Sequence, residues 1–297
     1  MRLKDKIAIV TGASRGIGAE IARMCAAEGA AVVCAARNLS DLESVQASIR
    51  KKGGRCTVMK VDVRERDDLK KMAEETFTEY GACDILVNNA GLPLFGHEID
   101  DPDRDTEERF EAILETNLKG YWYAARFVTP FMKKRESGSI VNISSVRGHA
   151  GLAGESAYCT AKGGVHMLTR ALSVELAPHG IRVNSISPGA IQVQLGHWVR
   201  SRYGESAHET YVERFSDLHM RGMELNQPLR TVGTPRDVGY AVIYFASEES
   251  RFVTGSDLMV DGGLTAVLPE PGALDMESLS RLHRDSVQMR EWFSTLR

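Results

Sequence analysis

Three short sets of residues have types and spacings that could do chemistry. Near the N-terminus, Thr11-Gly12-Ala13-Ser14-Arg15-Gly16-Ile17-Gly18 separates a short apolar run from a helical pattern. Glycines at such a junction let the backbone turn sharply and approach a pyrophosphate, whose charge is favoured by the unpaired N–H groups of a helix start. The spacing is not the commoner G-x-G-x-x-G, so its place between strand and helix is what makes it a dinucleotide-binding candidate. Further on, Asp84-Ile85-Leu86-Val87 runs into Asn88-Asn89-Ala90-Gly91. That puts two amides and a glycine at the carboxyl end of a buried strand, the end where open α/β sheets bind ligands. Finally, Tyr158 and Lys162 stand four residues apart, on one face of a helix, where the ammonium can stabilise an ionised phenol. A phenol of ordinary pKa about 10 then becomes an acid or base usable nearer neutrality.

These sets need a scaffold that holds strand ends side by side. Short apolar runs alternate with longer helical patterns, the signature of a parallel sheet built from right-handed crossovers. The runs are Ile7 to Val10, Ala31 to Ala36, Thr57 to Val63, Asp84 to Val87, Ser139 to Ile143 and Arg182 to Ile186, with a last strand at Leu258-Met259-Val260. Several are continuously apolar, as strands covered on both faces should be. Between them, Ala19 to Glu28 closes at Gly29, Leu39 to Lys52 closes at Gly53-Gly54, and a late helix starts at Thr234-Pro235. The pattern predicts an α/β, doubly wound, mostly parallel seven-stranded sheet of Rossmann type in one domain, 1–263. It carries an insert at 190–232, read as a substrate lid, and a tail, 264–297, whose Met276 to Leu296 piece has the spacing of an amphipathic helix packing on the domain or a neighbouring subunit.

Composition narrows the partners. Hydrophobic residues make up 43% and charged residues 26% of the 297, with a formal charge of −3, an ordinary globular balance that gives no basic field for nucleic acid. No apolar run reaches the length of a membrane span, and the first strand starts at Lys6, leaving no room for a signal peptide, so a cytoplasmic protein is expected. The cysteines Cys25, Cys34, Cys56, Cys83 and Cys159 contain no CxxC pair and the histidines show no metal-ligand spacing, so no metal is expected.

Taken together, TGASRGIG at 11–18, NNAG at 88–91, Asn117 in ETNLKG, Ser145, YCTAK at 158–162 and Pro188-Gly189 resemble the short-chain dehydrogenase/reductase family over roughly residues 5–263. The resemblance implies hydride transfer between a nicotinamide cofactor and a carbonyl or alcohol. It makes Tyr158 the proton donor or acceptor on the substrate oxygen and has Ser145 hydrogen-bond that same oxygen. Lys162 would bind the nicotinamide ribose and lower the Tyr158 pKa, while Asn117 holds a water in the proton relay. The resemblance prefers Ser145 to Ser144, because thirteen residues before Tyr158 is the family's usual interval. The cofactor would lie along Gly12, Ser14, Arg15, Gly16, Ile17 and Gly18. Asp62 and Val63 would meet its adenine, Asn89, Ala90 and Gly91 its adenine ribose, and Pro188, Gly189 and Ile191 its nicotinamide, with Tyr158 and Lys162 also in contact. The family's habit also implies a homo-oligomer, a tetramer or a dimer.

Cofactor choice follows from the second strand. An NAD(H) site presents a carboxylate there for the ribose 2′-hydroxyl; this chain has Ala36 followed by Arg37. Arg37, flanked by Arg15, suits a 2′-phosphate, so NADP(H) is expected over NAD(H). One departure from the family pattern is Val193, where many members carry a threonine that meets the carboxamide. His149 reads as a wall of the substrate pocket. The insert's Arg200, Arg202, Arg214 and Arg221 are matched by acids, which reads as a solvated helical surface. A 3-oxoacyl-carrier-protein reductase is the alternative within the enzyme class. Outside it stands a non-catalytic dinucleotide-responsive binding protein.

Overall fold

The computed structural model describes residues 1–92, 99, 106–193, 199–200, 203–267 and, in the tail, 287–289, 291, 292 and 295. Two compact units emerge: Met1–Pro188 with Pro235–Val260, and Gly189–Thr234 with Asp261–Arg297.

In the first unit the strands are β1 Ile7–Thr11, β2 Ala31–Ala36, β3 Arg55–Lys60, β4 Ile85–Asn88, β5 Gly138–Ile143, β6 Ile181–Pro188 and β7 Asp257–Val260. They form one sheet in the order β3-β2-β1-β4-β5-β6-β7, and every neighbouring pair is parallel. After β3 the chain returns to the other side of β1, so the order reverses between β1 and β4. That reversal opens a crevice beyond the carboxyl ends of those two strands.

The helices of this unit are α1 Gly16–Ala27, α2 Leu39–Lys51, α3 Arg66–Tyr80, α4 Thr106–Leu114, α5 Gly120–Lys134, α6 Ser156–Leu176 and, after the second unit's first segment, α9 Pro235–Ala246. Alternate strand residues Ile9, Val33, Leu86, Ile140 and Val183 share a core with Leu69 and Met72 of α3, Val128 and Met132 of α5 and Leu176 of α6. Residues of opposite parity, such as Ala8, Val10 and Val32, are equally buried and face the other layer. There α1 lies so close to α9 that a Cβ on Gly239 would run into the Met24 sulfur. Each fully buried Leu or Ile contributes about 1.5–3 kcal/mol, which is why these strands read as unbroken apolar runs.

β3 differs from expectation, ending at Lys60 and not at Val63. The N–H of Val61 still bonds the Ala36 carbonyl, but the N–H of Asp62 is taken at 2.9 Å by the Asp68 carboxylate. That bond turns the chain into α3 and leaves Asp62 and Val63 in the connecting loop.

The second unit contains α7 Glu205–Arg214 and α8 Ser216–Asn226, with a parallel bridge between Ile191 and Gly233. Its small core joins Val199, Ala207, Tyr211 and Phe215 to Met289 and Trp292 of the tail; the Trp292 ring lies 5.0 Å from that of Phe215. Arg200 pairs with Glu205 at 2.8 Å, and Arg214 lies over the Phe215 ring. Trp198, Arg202 and most of the expected tail helix fall outside the described residues.

A buried polar chain ties the sheet to α6. Asn88 Nδ2 donates to Asn142 Oδ1 at 2.9 Å, and Asn142 Nδ2 donates to Thr169 Oγ1 at 2.9 Å, all fully or nearly fully buried. Removing the middle member strands polar groups on both sides. Asn142→Ala is therefore expected to lower stability by about 1–3 kcal/mol, measured by urea denaturation; a change below about 0.5 kcal/mol, the level of an ordinary surface substitution, would contradict the network's role.

Candidate active site

The glycine loop leaves β1 at Thr11 and enters α1 at Gly16. Gly12 and Gly16 have φ of +66° and +56°, which L side chains rarely adopt. Close packing demands more. A Cβ on Gly12 would stand 2.7 Å from the Ala90 Cα, and one on Gly18 would run into the Gly12 carbonyl and the Asn89 amide. The loop is thus clasped by the end of β4. Asn89 Nδ2 donates to the carbonyls of Thr11 and Gly12 at 3.0 and 3.2 Å, while the N–H groups of Asn89 and Ala90 donate to Thr11 Oγ1 at 3.0 and 3.2 Å. The Asn89 side chain is therefore committed to holding the loop. α1 starts with no side-chain cap and no acid in its first turn, so its leading N–H groups and positive dipole end suit an anion.

At the rim, Ala36 ends β2 and Arg37 is exposed. Arg15 is exposed in the loop, and neither guanidinium is in an ion pair among the described residues. The Asp62 carboxylate is gripped by Arg64 at 2.7 Å, which with its other bonds to Arg64 holds its carboxyl below the usual range. Tight glycines, an uncapped helix start and exposed arginines outside any ion pair among the described residues fit a phosphorylated dinucleotide. Pro188 ends β6, whereas Gly189 and Ile191 belong to the second unit.

The other group gathers at the ends of β4 and β5. Asn117 lies in a π-helical turn, Glu115–Lys119, between α4 and α5, a distortion frequent at functional sites. Its amide is clamped to one residue: Oδ1 accepts from the Leu92 N–H at 2.7 Å and Nδ2 donates to the Leu92 carbonyl at 3.1 Å. One turn later the Tyr121 hydroxyl donates to the Ile143 carbonyl at 3.1 Å. Lys162 on α6 donates to the same carbonyl at 2.8 Å and approaches the Tyr121 hydroxyl at 3.5 Å. Lys162 is 3% exposed and has no carboxylate partner among the described residues, and burial pulls its pKa down to about 7.

Ser144 and Ser145 separate cleanly. The Ser144 hydroxyl donates to the Lys162 carbonyl at 3.0 Å and is spent on fastening β5 to α6. Ser145 Oγ accepts the Arg147 N–H at 3.1 Å, starting a short 3₁₀ turn, Val146–Gly148, and lies near enough to the Tyr158 phenol to act on its titration. That phenol is raised above its ordinary value mainly by burial; the Ser145 hydroxyl opposes this, Glu155 adds to it and Arg147 subtracts. Lys162 stands one helical turn beyond this phenol on α6. The ammonium points to the Ile143 carbonyl, 5.7 Å from the centre of the Tyr158 ring. Tyr121 and the Arg147–Glu155 pair, at 3.4 Å, went unnoticed in the sequence. A Tyr four residues after Asn117 was the available signal for the first; the pair had none.

The matching of this chain to known proteins follows the same residues. The short chain dehydrogenase family profile matches residues 6–204. The chain is similar to 3-oxoacyl-[acyl-carrier-protein] reductase FabG of Thermotoga maritima, with 34% identity over 89% of this chain and 99% of that one. It is also similar to oxidoreductase UcpA of Salmonella typhimurium, with 35% identity over 91% and 97%. Among solved structures, a putative short-chain alcohol dehydrogenase from Sinorhizobium meliloti superposes with a TM-score of 0.78 at 32% identity, covering 90% of this chain and 98% of that one. A putative gluconate dehydrogenase from Agrobacterium tumefaciens gives 0.79 at 27%, with the same coverage. No described helix is long and apolar enough to cross a membrane. With the glycine loop, the Asn-Asn-Ala-Gly strand end and the Ser-Tyr-Lys group on one all-parallel sheet, the chain belongs to the short-chain dehydrogenase/reductase family and is an oxidoreductase.

Proposed function

We propose that the chain interconverts a ketone or aldehyde and an alcohol with NADP(H), Tyr158 acting as acid and base. The observation that carries this reading is the gathering of Ser145, Tyr158 and Lys162 at the same carboxyl end of the sheet as the glycine loop. The dinucleotide would be held by Gly12 to Gly18, Arg37, Asp62, Val63, Asn89 to Gly91, Lys162, Pro188, Gly189 and Ile191, and supplies the hydride. The protein's own part is proton handling and orientation. Ser145 donates to the substrate oxygen and Tyr158 delivers the proton to it during reduction, or removes it during oxidation. Burial keeps the phenol protonated at neutral pH, the state that reduction needs. Asn117, clamped to Leu92, fixes the π turn where a relay water would sit. The 190–232 segment serves as the substrate cover, and the chain works as a cytoplasmic homotetramer or dimer.

A second reading, reduction of a 3-oxoacyl thioester on a carrier protein, is favoured by the names of relatives that share a third of their residues with this chain. A panel of ketones, cyclic alcohols, sugar acids and acyl thioesters followed by NADPH absorbance separates the two.

Tyr158→Phe keeps the ring and removes the transferable proton, so turnover should fall by about 10²–10⁴-fold with NADPH affinity nearly unchanged. A variant that keeps most of the wild-type rate at saturating cofactor would sink the proposed role. For the cofactor, kcat/KM with NADPH should exceed that with NADH by at least about tenfold, since charge-assisted bonds to a 2′-phosphate contribute roughly 1.5–3 kcal/mol each. Ala36→Asp combined with Arg37→Ala should move the preference towards NADH, because the new carboxylate accepts from a 2′-hydroxyl and repels a phosphate. Equal values in the wild type, or a preference for NADH, overturn the assignment.

A further inference from the structure

His149, His166 and Asp257 come from three different elements of the first unit. His149 follows the 3₁₀ turn that Ser145 starts, His166 stands one turn beyond Lys162 on α6, and Asp257 opens β7. Their ligand-type atoms all lie within 4.8 Å of one another. Both imidazoles turn Nε2 towards the one carboxylate: His149 Nε2 lies 2.8 Å from Asp257 Oδ2 and His166 Nε2 lies 3.8 Å from Oδ1. Among the described residues no lysine or arginine pairs with Asp257, whose side chain is only 14% exposed.

We propose that these three side chains form a structural site for a zinc-class divalent cation, distinct from the reacting hydroxyls. Two imidazole nitrogens and a carboxylate are a donor set suited to zinc and its neighbours, not to magnesium or calcium. Metal–ligand bonds of about 2.0–2.2 Å place tetrahedral ligand atoms about 3.3 Å apart; the 2.8 Å from His149 to Oδ2 and the 3.8 Å from His166 to Oδ1 lie on either side of that separation, and the three ligand atoms stay within 4.8 Å of one another. A ligating carboxylate is ordinarily steadied by an outer hydrogen bond. Here the Ser185 hydroxyl donates to Asp257 Oδ1 at 2.6 Å; the Ser187 hydroxyl, 3.0 Å from His166 Nε2, is displaced from that nitrogen when the metal binds. Binding displaces the proton shared between His149 Nε2 and the carboxylate; in the neutral ring it then resides on Nδ1. His149 is the partly exposed member, 32%, so a cation enters from its side and water completes the coordination.

Such a site escapes motif reading because its members are separated by 17 and 91 residues, unlike ligands spaced on a single helix or knuckle. Its consequence is mechanical: it ties the turn after Ser145 and the helix of Tyr158 and Lys162 to the last strand.

The test uses the full chain, free of any affinity tag and stripped with a chelator, titrated with Zn²⁺ alone and with Co²⁺ as a spectroscopic substitute. One metal per chain is expected to bind below about 100 μM and to raise Tm by roughly 5 °C, with millimolar Mg²⁺ not competing. His149→Gln, which keeps a donor to Asp257, and His166→Phe should each weaken binding at least tenfold. Ser185→Ala, which leaves all three ligands, should weaken it by about tenfold. If the wild type shows no saturable binding, the three side chains are a hydrogen-bonded clamp only and the proposal fails. Zn²⁺ binding of equal strength in the wild type and both histidine variants places the metal elsewhere and also overturns it.

Discussion

A lysine buried without an acid is the constraint around which this end of the molecule is arranged. Lys162 is 3% exposed, and among the described residues its nitrogen hydrogen-bonds the Ile143 carbonyl and approaches the Tyr121 hydroxyl, with no carboxylate beside it. Three elements must converge to supply that environment: the end of β5, the first turn of α5 after the π distortion, and α6 itself. The cost falls on its titration. Burial pulls the folded-state pKa from 10.5 to about 7, so between those values the unfolded chain binds a proton that the folded chain does not. The corresponding stability is present above the unfolded value and is lost as pH falls towards 7. A side chain chosen for packing alone would be an apolar one of similar length. That the chain keeps a lysine here, one helical turn from Tyr158, is the physical argument for chemistry at this spot.

Around this lysine, polar bonds hold the loops that would meet cofactor and substrate. Asn89 and Thr11 lock the glycine loop to β4. Asn117 locks the π turn to Leu92, and Ser144 locks the end of β5 to α6. Each spends a short polar side chain on backbone groups and not on solvent, so the hydroxyls of Ser145 and Tyr158 sit on supports with little freedom. Preorganisation of this kind is what lets a site stabilise charge as it develops without first reorganising.

Much of this was legible in the sequence. Unbroken apolar runs such as Ala31–Ala36 could only be strands covered on both faces, and the four-residue interval from Tyr158 to Lys162 could only put both on one helix face. Ala36 and Arg37 at the end of β2 carried the argument on cofactor choice by charge alone. What local patterns could not carry was anything set by packing across the sheet. The end of β3 depended on the Asp68 carboxylate capturing the Asp62 N–H, a choice made by a helix six residues on. Where the Lys162 ammonium points depended on the carbonyl of Ile143 and on Tyr121, neither of which belongs to a motif. The convergence of His149, His166 and Asp257 required the order of β6 and β7, which spacing does not give.

The account rests on Lys162 being held near its point of neutralisation, and the most direct measurement is its titration. With lysine side chains isotopically labelled and Lys162→Arg used to assign the signal, the Cε resonance of Lys162 should move through its transition near pH 7, as a mostly charged ammonium below and a mostly neutral amine above. A transition near 10.5, where an exposed lysine titrates, would contradict it.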